Sequence, residues 1–244
     1  MSRVDELNGI AKDYHLNDNI ADKFIEDACQ EYCCDWLETF MGKNQNVLEL
    51  GYGEGHTCNR LSKKTKTYSI IEGSSDLVAE VKSKFPDVHI IDELFEDYQP
   101  LNPYDLILAL HVFEHVDDPV ALAKHMKPWL SKDGEMVVVV PNKESLHRRL
   151  AKDMGLIEDL GELSLRDKLV GHQKVYSLKE LEQDFIEAGY EVVAKKGFFI
   201  KLLPNSMMLD YSQDLIHSLN RCGEDIPIDL LANIAIVVKV KKDG

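Results

Sequence analysis

The stretch Val47-Leu48-Glu49-Leu50-Gly51-Tyr52-Gly53-Glu54-Gly55 decides how this 244-residue chain is read. The apolar run 46–50 does not alternate and ends in turn formers, which predicts a parallel strand buried on both faces. Three glycines at every second position follow it. Glycine takes positive φ without strain and lets another molecule approach the backbone, so this turn suits a bound ligand. The plainer alternative is a glycine-rich turn with nothing on it. Residues 56–63 lack glycine and proline and predict a helix whose first amides face the ligand.

Two details narrow the ligand. A dinucleotide fingerprint needs a third glycine where His56 stands, and no Gly-Lys-Ser/Thr follows to make a P-loop. Glu49, just inside the loop mouth, would repel a pyrophosphate and attract a cationic amine. A second apolar run, Tyr68-Ser69-Ile70-Ile71, ends at Glu72, about 20 residues past the first glycine. At that spacing in a βαβ unit a carboxylate meets ribose hydroxyls, and it can accept both of their protons. Otherwise Glu72 is a solvated strand-end glutamate.

Outward from this unit, a helix over 76–85 leads to a third strand, 88–91. The segment Asp92-Glu93-Leu94-Phe95-Glu96-Asp97 leaves its end, where apolar side chains can sandwich a base. A fourth strand, 104–110, runs into His111-Val112-Phe113-Glu114-His115-Val116-Asp117-Asp118-Pro119. A helix over 120–130, a Lys132-Asp133-Gly134 turn and a fifth strand, 135–140, complete five β-α repeats. They predict an α/β fold with a doubly wound, mostly parallel sheet. Residues 1–43 read as a helical cap, with Ile20, Phe24, Ala28, Cys29 and Tyr32 at helical spacing. Tyr14 and His15 precede that helix, either over the pocket or on an exposed arm. Residues 44–142 form the cofactor-binding core, and the charged stretch 143–170 interrupts the sheet as a lid. Ser177 and Glu180 form a capping box. The remainder, 171–244, completes the sheet with an antiparallel pair, 190–196 and 233–241, around an inserted segment 198–231.

The composition is ordinary for a globular protein, 44% apolar and 29% charged. A net charge of −15 argues against sequence-independent nucleic-acid binding, which needs a basic surface. The first nineteen residues carry no signal-peptide core. No stretch approaches the roughly 18 apolar residues of a membrane span. A cytoplasmic protein, not bound to membrane, is expected. The five cysteines are odd in number and lack paired C-x-x-C spacing, so reduced thiols are expected. Monomer and homodimer both remain open.

Glu49 through Gly55, Glu72, Asp105-Leu106-Ile107, and Pro128-Trp129-Leu130 through Gly134 together resemble the ordered motifs of class I S-adenosylmethionine-dependent methyltransferases. The His111-to-Pro119 run and Pro141-Asn142 are most similar to the ubiquinone-biosynthesis O-methyltransferase-like branch, whose members mostly modify small molecules. Lys132-Asp133-Gly134 departs from the usual Pro-Gly-Gly, which affects a turn. The resemblance implies a seven-stranded Rossmann-like sheet with an antiparallel last strand and S-adenosylmethionine as cofactor. Glu49, Gly51, Tyr52, Gly53 and Gly55 would hold its methionine end. Glu72, Gly73 and Ser74 would meet the ribose and Glu93, Leu94 and Phe95 the adenine. Leu110 and His111 would lie under the sulfonium.

Methyl transfer from a sulfonium is an in-line displacement on an activated carbon, so the enzyme mainly aligns the partners and removes a proton. His111 and His172, both expected at the carboxyl edge of the sheet, are the candidate bases; each could instead be structural. His111-x-x-Glu114-His115 puts three possible ligands on one helical turn. The similar metalloprotease pattern lies inside long helices, unlike this strand-following run, and no metal is expected. Tyr14, His115, Arg148, Arg149 and Tyr176 are candidates to touch the acceptor. Arg148, Arg149, Arg166 and Lys174 could hold an anionic group on it. The expected acceptor is a small hydroxylated or carboxylated metabolite methylated on oxygen. The alternatives are an amine acceptor or a non-catalytic, cofactor-binding partner subunit.

Overall fold

In the computed structural model, residues 2–17 and 20–242 are described; Met1, Asp18 and Asn19 of the cap, and Asp243 and Gly244, lie outside them. The Val-, Ile- and Leu-rich runs form β1 (Asn46–Leu50), β2 (Thr67–Glu72), β3 (His89–Asp92), β4 (Tyr104–Leu110) and β5 (Leu130–Pro141). These five pair in parallel. With β6 (Tyr190–Phe198) and β7 (Asn233–Val240) they make a seven-stranded sheet in the order β3-β2-β1-β4-β5-β7-β6. Only β7 runs against its neighbours, pairing antiparallel with both β5 and β6. The expected doubly wound fold is present.

Alternation along each strand divides the core. Leu48, Ile107, Val138 and Ile236 point to one face, where they pack with Leu122, Met126, Leu181 and Phe185. Those partners come from α5 (Pro119–Met126) and α8 (Leu178–Glu187). Val47, Leu106, Leu108 and Val137 point the other way, against Cys33, Leu37, Cys58 and Leu61. These lie on α2 (Lys23–Leu37) and α3 (His56–Leu61), and Leu77 and Val81 of α4 (Ser75–Lys84) join them. Burying each large side chain contributes about 1.5–3 kcal/mol, so the strands stay apolar on both faces.

Three expectations about local structure are corrected. The turn read at Lys132-Asp133-Gly134 is absorbed into β5 as an irregularity, since Tyr104 pairs with Leu130 and Leu106 with Glu135. Gly134 permits this because a Cβ there would lie 2.9 Å from the Tyr104 carbonyl oxygen. The N-terminal helical reading is interrupted: α1 (Arg3–Ile10) and a wide turn over Ala11–His15 precede α2. α2 fully buries Ile25, Ala28, Cys33, Cys34 and Leu37; of the expected stripe, Phe24, Cys29 and Tyr32 pack half-buried beside them, and Ile20 lies before the helix. The fully buried face is broader than that stripe because α2 is sandwiched. Ile25 and Ala28 pack on Phe199, Met208 and Ile216, the last from α9 (Gln213–Cys222) in the inserted segment. Residues 143–170, expected as a lid, contain α6 (Leu146–Asp153) and α7 (Leu165–Leu169). No helix among the described residues is long and apolar enough to cross a membrane.

Candidate active site

The glycine turn leaves β1 with Gly51 at φ 72°, Gly53 at 55° and Gly55 at 79°. A Cβ on Gly51 or Gly53 would meet no atom within 4 Å, so the loop backbone borders open space. That space is a cavity of about 970 Å³ at the carboxyl ends of the strands, where open α/β sheets bind ligands. Glu72 is 6% exposed and accepts the Tyr52 N–H at 2.9 Å and the Ser74 N–H at 2.7 Å. Each carboxylate oxygen has two lone pairs, so both keep capacity for ribose hydroxyls. Glu49 accepts from the Tyr68 hydroxyl at 2.8 Å, and burial pushes its pKa up to about 8. A cationic amine beside it would draw that value back down. This donor and acceptor set fits S-adenosylmethionine.

The N-terminal cap lies directly on the loop. Asn8 accepts from the Ser74 hydroxyl at 2.8 Å, and His15 Nδ1 lies 2.9 Å from Glu54. A Cβ on Gly73 would sit 2.8 Å from both Leu7 of the cap and Leu94. Tyr14 and His15 therefore line the cavity and do not stand on a free arm.

At the end of β4, His111 adopts φ 56°, an unusual conformation for a residue with a Cβ. Such strain costs on the order of 1–3 kcal/mol and clusters at functional sites. The short turn that follows brings Glu114, fully buried, to 3.1 Å from His111 Nδ1. Burial opposes the imidazolium of His111. The bond to Glu114 and the charges of Glu114, Glu26 and Glu54 outweigh it and raise the pKa. Burial likewise opposes ionisation of Glu114, but the bond to His111 and the charges of three histidines keep its pKa low. His172 reaches the same place from beyond the lid. Its Nδ1 lies 2.9 Å from Asp167, and its Nε2 lies 4.0 Å from Glu114. One ligand atom each from Glu114, His115 and His172 falls within 4.8 Å of the others. Glu114 Oε2 has no hydrogen-bond partner. This set could hold a divalent cation, with Asp167 orienting His172.

A family model for a methyltransferase domain matches residues 25–195. The chain belongs to the class I S-adenosylmethionine-dependent methyltransferases. It is 27% identical over 187 residues to malonyl-[acyl-carrier protein] O-methyltransferase 1 of Ilyobacter polytropus, covering 73% of this chain and 66% of that relative. It also resembles a chain of the Haloferax volcanii complex between the Trm112 methyltransferase activator and a methyltransferase, with TM-score 0.64 and 17% identity over 100% and 99% of the two chains. Against N-methyltransferase NodS of Bradyrhizobium japonicum, solved with S-adenosyl-L-homocysteine, the TM-score is 0.59 at 13% identity, with 98% of each chain covered. At such identities the solved structures show the shared fold.

In this methyltransferase the residues expected at the cofactor line the cavity, with two exceptions. Gly55 is withdrawn, because its missing side chain makes room for the Tyr52 side chain, whose hydroxyl lies 2.4 Å from where a Cβ would be. Glu93 is exposed and off the wall, and Glu96 takes a place on it. Among the acceptor candidates, His115, Arg148 and Tyr14 face the cavity, but Arg149 and Tyr176 do not. The Arg149 side chain turns back to the Glu144 carbonyl. Tyr176 is wholly buried in the core, its ring capped by Lys174 at 3.9 Å.

The basic residues expected to hold an anion are already paired. Arg166 meets Asp22, Glu26 and the Tyr14 hydroxyl. Arg148 donates to the Leu160 and Glu162 carbonyls, and Lys174 pairs with Asp184. Glu26, Lys201 and Asn205, none of them expected at the site from the sequence, line the cavity together with His147 of the expected lid. No motif marks them, and their grouping depends on contacts between α2, the lid and the insertion.

Proposed function

We propose that this methyltransferase acts on a hydroxyl or carboxyl oxygen of a small-molecule metabolite, with His111 as the base that takes the proton of a hydroxyl acceptor; a carboxylate is already ionised and needs none. S-adenosylmethionine, when bound, supplies an activated methyl group. Glu49, Gly51, Gly53 and Glu72 would hold and orient it, and Leu94 with the cap would border its base. One observation carries the reading: a cavity-facing His111 whose Nδ1 is committed to a fully buried Glu114. Its Nε2 has no hydrogen-bond partner among the described residues and is left to the acceptor. A carboxylate behind an imidazole fixes its tautomer and stabilises the imidazolium that forms, as in the Ser-His-Asp triad. His172, set by Asp167 in the same way, is the second candidate base. The name of the Ilyobacter relative supports transfer to oxygen.

The test is methyl transfer to pools of phenols, hydroxy acids, carboxylates and amines. His111→Ala is expected to lower the rate about 10²–10⁴-fold, with S-adenosylhomocysteine binding measured beside it to separate a lost base from a lost cofactor contact. Methylation of an amine that ignores both His111 and His172 would move the assignment to N-methylation. Cofactor binding with no product from any pool would favour a non-catalytic partner subunit. The free Glu114 Oε2 beside His115 and His172 favours a second reading, in which a divalent cation there binds the acceptor oxygen and lowers its pKa.

A further inference from the structure

Beyond the His111 turn, the cavity extends to a wall built by α2, the lid and the segment after β6. The chain leaves β6 through Phe199 at φ 66°, an outlier for a bulky residue. Two residues later Lys201 lies on that wall. Its acidic neighbours are already satisfied. Glu26 accepts from Arg166 at 2.7 Å, from Asn205 Nδ2 at 3.2 Å and from the Tyr14 hydroxyl, and Asp22 pairs with Arg166.

Three polar groups on this wall are left over. Among the described residues, the Lys201 ammonium has no hydrogen bond or ion pair. Asn205 is 7% exposed and its Oδ1 is buried without a partner. The contact to Glu26 fixes the amide orientation, because only the nitrogen can donate to a carboxylate. His147 Nδ1 lies 3.0 Å from the Ser145 hydroxyl, which leaves Nε2 unpaired. In the tautomer whose Nδ1 accepts from the Ser145 hydroxyl, Nε2–H is a donor. A native structure seldom leaves buried polar groups unpartnered unless water, a ligand or an ion completes them.

We propose that Lys201, His147 Nε2 and Asn205 Oδ1 form a recognition subsite for a carboxylate carried by the methyl acceptor, next to a hydroxyl or N–H on that same molecule. The inference rests on the methyltransferase reading of the cavity and names its acceptor class. The carboxylate pairs with Lys201 and accepts from His147, and the adjoining donor satisfies Asn205 Oδ1. A monoanion suits the site better than a phosphate dianion. Lys201 is its one uncommitted cation among the described residues, and Asp22, Glu26 and Glu54 oppose further negative charge. Burial lowers the Lys201 pKa even though Glu26 and Asp22 lie near, so an anion delivered to the ammonium offsets a cost the fold leaves uncovered.

The test uses the whole chain saturated with S-adenosylhomocysteine, whose binding is measured first by calorimetry. A panel of small hydroxylated carboxylates, each beside its carboxamide, is then screened by ligand-observed NMR. Wild-type protein is expected to bind several acids at least tenfold more tightly than their amides, and Lys201→Met to abolish that preference. Lys201→Gln serves if the methionine variant fails to bind S-adenosylhomocysteine. The proposal is overturned if no carboxylate binds at millimolar concentration, if acids and amides bind alike, or if the preference survives in the Lys201 variants. Failure to bind S-adenosylhomocysteine at all would instead overturn the methyltransferase reading beneath it.

Discussion

His111 is held on both sides, by a left-handed backbone that costs energy and by a carboxylate that has no exposure to water. Its charge state should therefore set the pH profile. A base must be neutral to accept a proton, so the rate should rise with pH through the His111 ionisation, which Glu114 and its acidic neighbours move above the ordinary histidine value. Glu114→Gln keeps the shape and removes the charge, so that ionisation should shift down. A profile unchanged in this variant would mean that another group supplies the base. Stability follows the opposite sign for the two partners. The contribution of His111, whose folded pKa is raised, is complete below its unfolded pKa and fades as pH rises through the folded one. The contribution of Glu114, whose folded pKa is lowered, is complete above its unfolded pKa and fades in acid. Gly51, Gly53 and Glu72 were legible in the sequence because their chemistry is local: a turn needing positive φ and a strand tip at fixed spacing. Tyr176 was misread because nothing local says which way a side chain leaving an irregular segment will point.

At the scale of elements, α7 is tied to α2 through Arg166, which reaches Asp22 and Glu26 across the cavity. Such a latch between distant segments could not be read from the sequence, where Arg166 is instead a candidate to hold an anionic group on the acceptor. Its guanidinium is about a third exposed, at 36%, so breaking it should cost less than the 3–5 kcal/mol of a fully buried pair, about 1–2 kcal/mol. Arg166→Met is expected to speed hydrogen exchange in residues 143–170 and in the cap while leaving the strands protected. Equal protection in the variant would show that the latch does not hold the lid. On α6, burial together with Lys201 and Arg148 depresses the His147 pKa to about 3. This histidine stays neutral in the fold but charges in the unfolded chain, so stability is lost as pH falls from its unfolded pKa toward that value. The slope from one such proton is at most about 1.4 kcal/mol per pH unit. His147→Gln should flatten the acid limb of a denaturation series relative to wild type, and an unaltered limb would assign it to the carboxylates.

Over the whole molecule, the sequence was sufficient for the sheet because each strand is an apolar run whose burial does not depend on distant detail. The far wall of the cavity was not legible, since it exists only where the cap, the lid and the insertion meet. The grouping of Glu114, His115 and His172 likewise appears only once the lid returns to the sheet. Proton removal by His111 alone should survive exhaustive chelation. Loss of activity on chelation, restored by a divalent ion and absent in His172→Ala, would establish the metal reading instead. The glycine turn and Glu72 are expected to hold S-adenosylmethionine and its product, and the decisive experiment titrates S-adenosylhomocysteine calorimetrically into the wild-type chain and into Glu72→Ala. One-site binding is expected, weakened in the variant by roughly 1.5–3 kcal/mol, the range for hydrogen bonds to a charged group. No binding to the wild type, or equal affinity in Glu72→Ala, would contradict it.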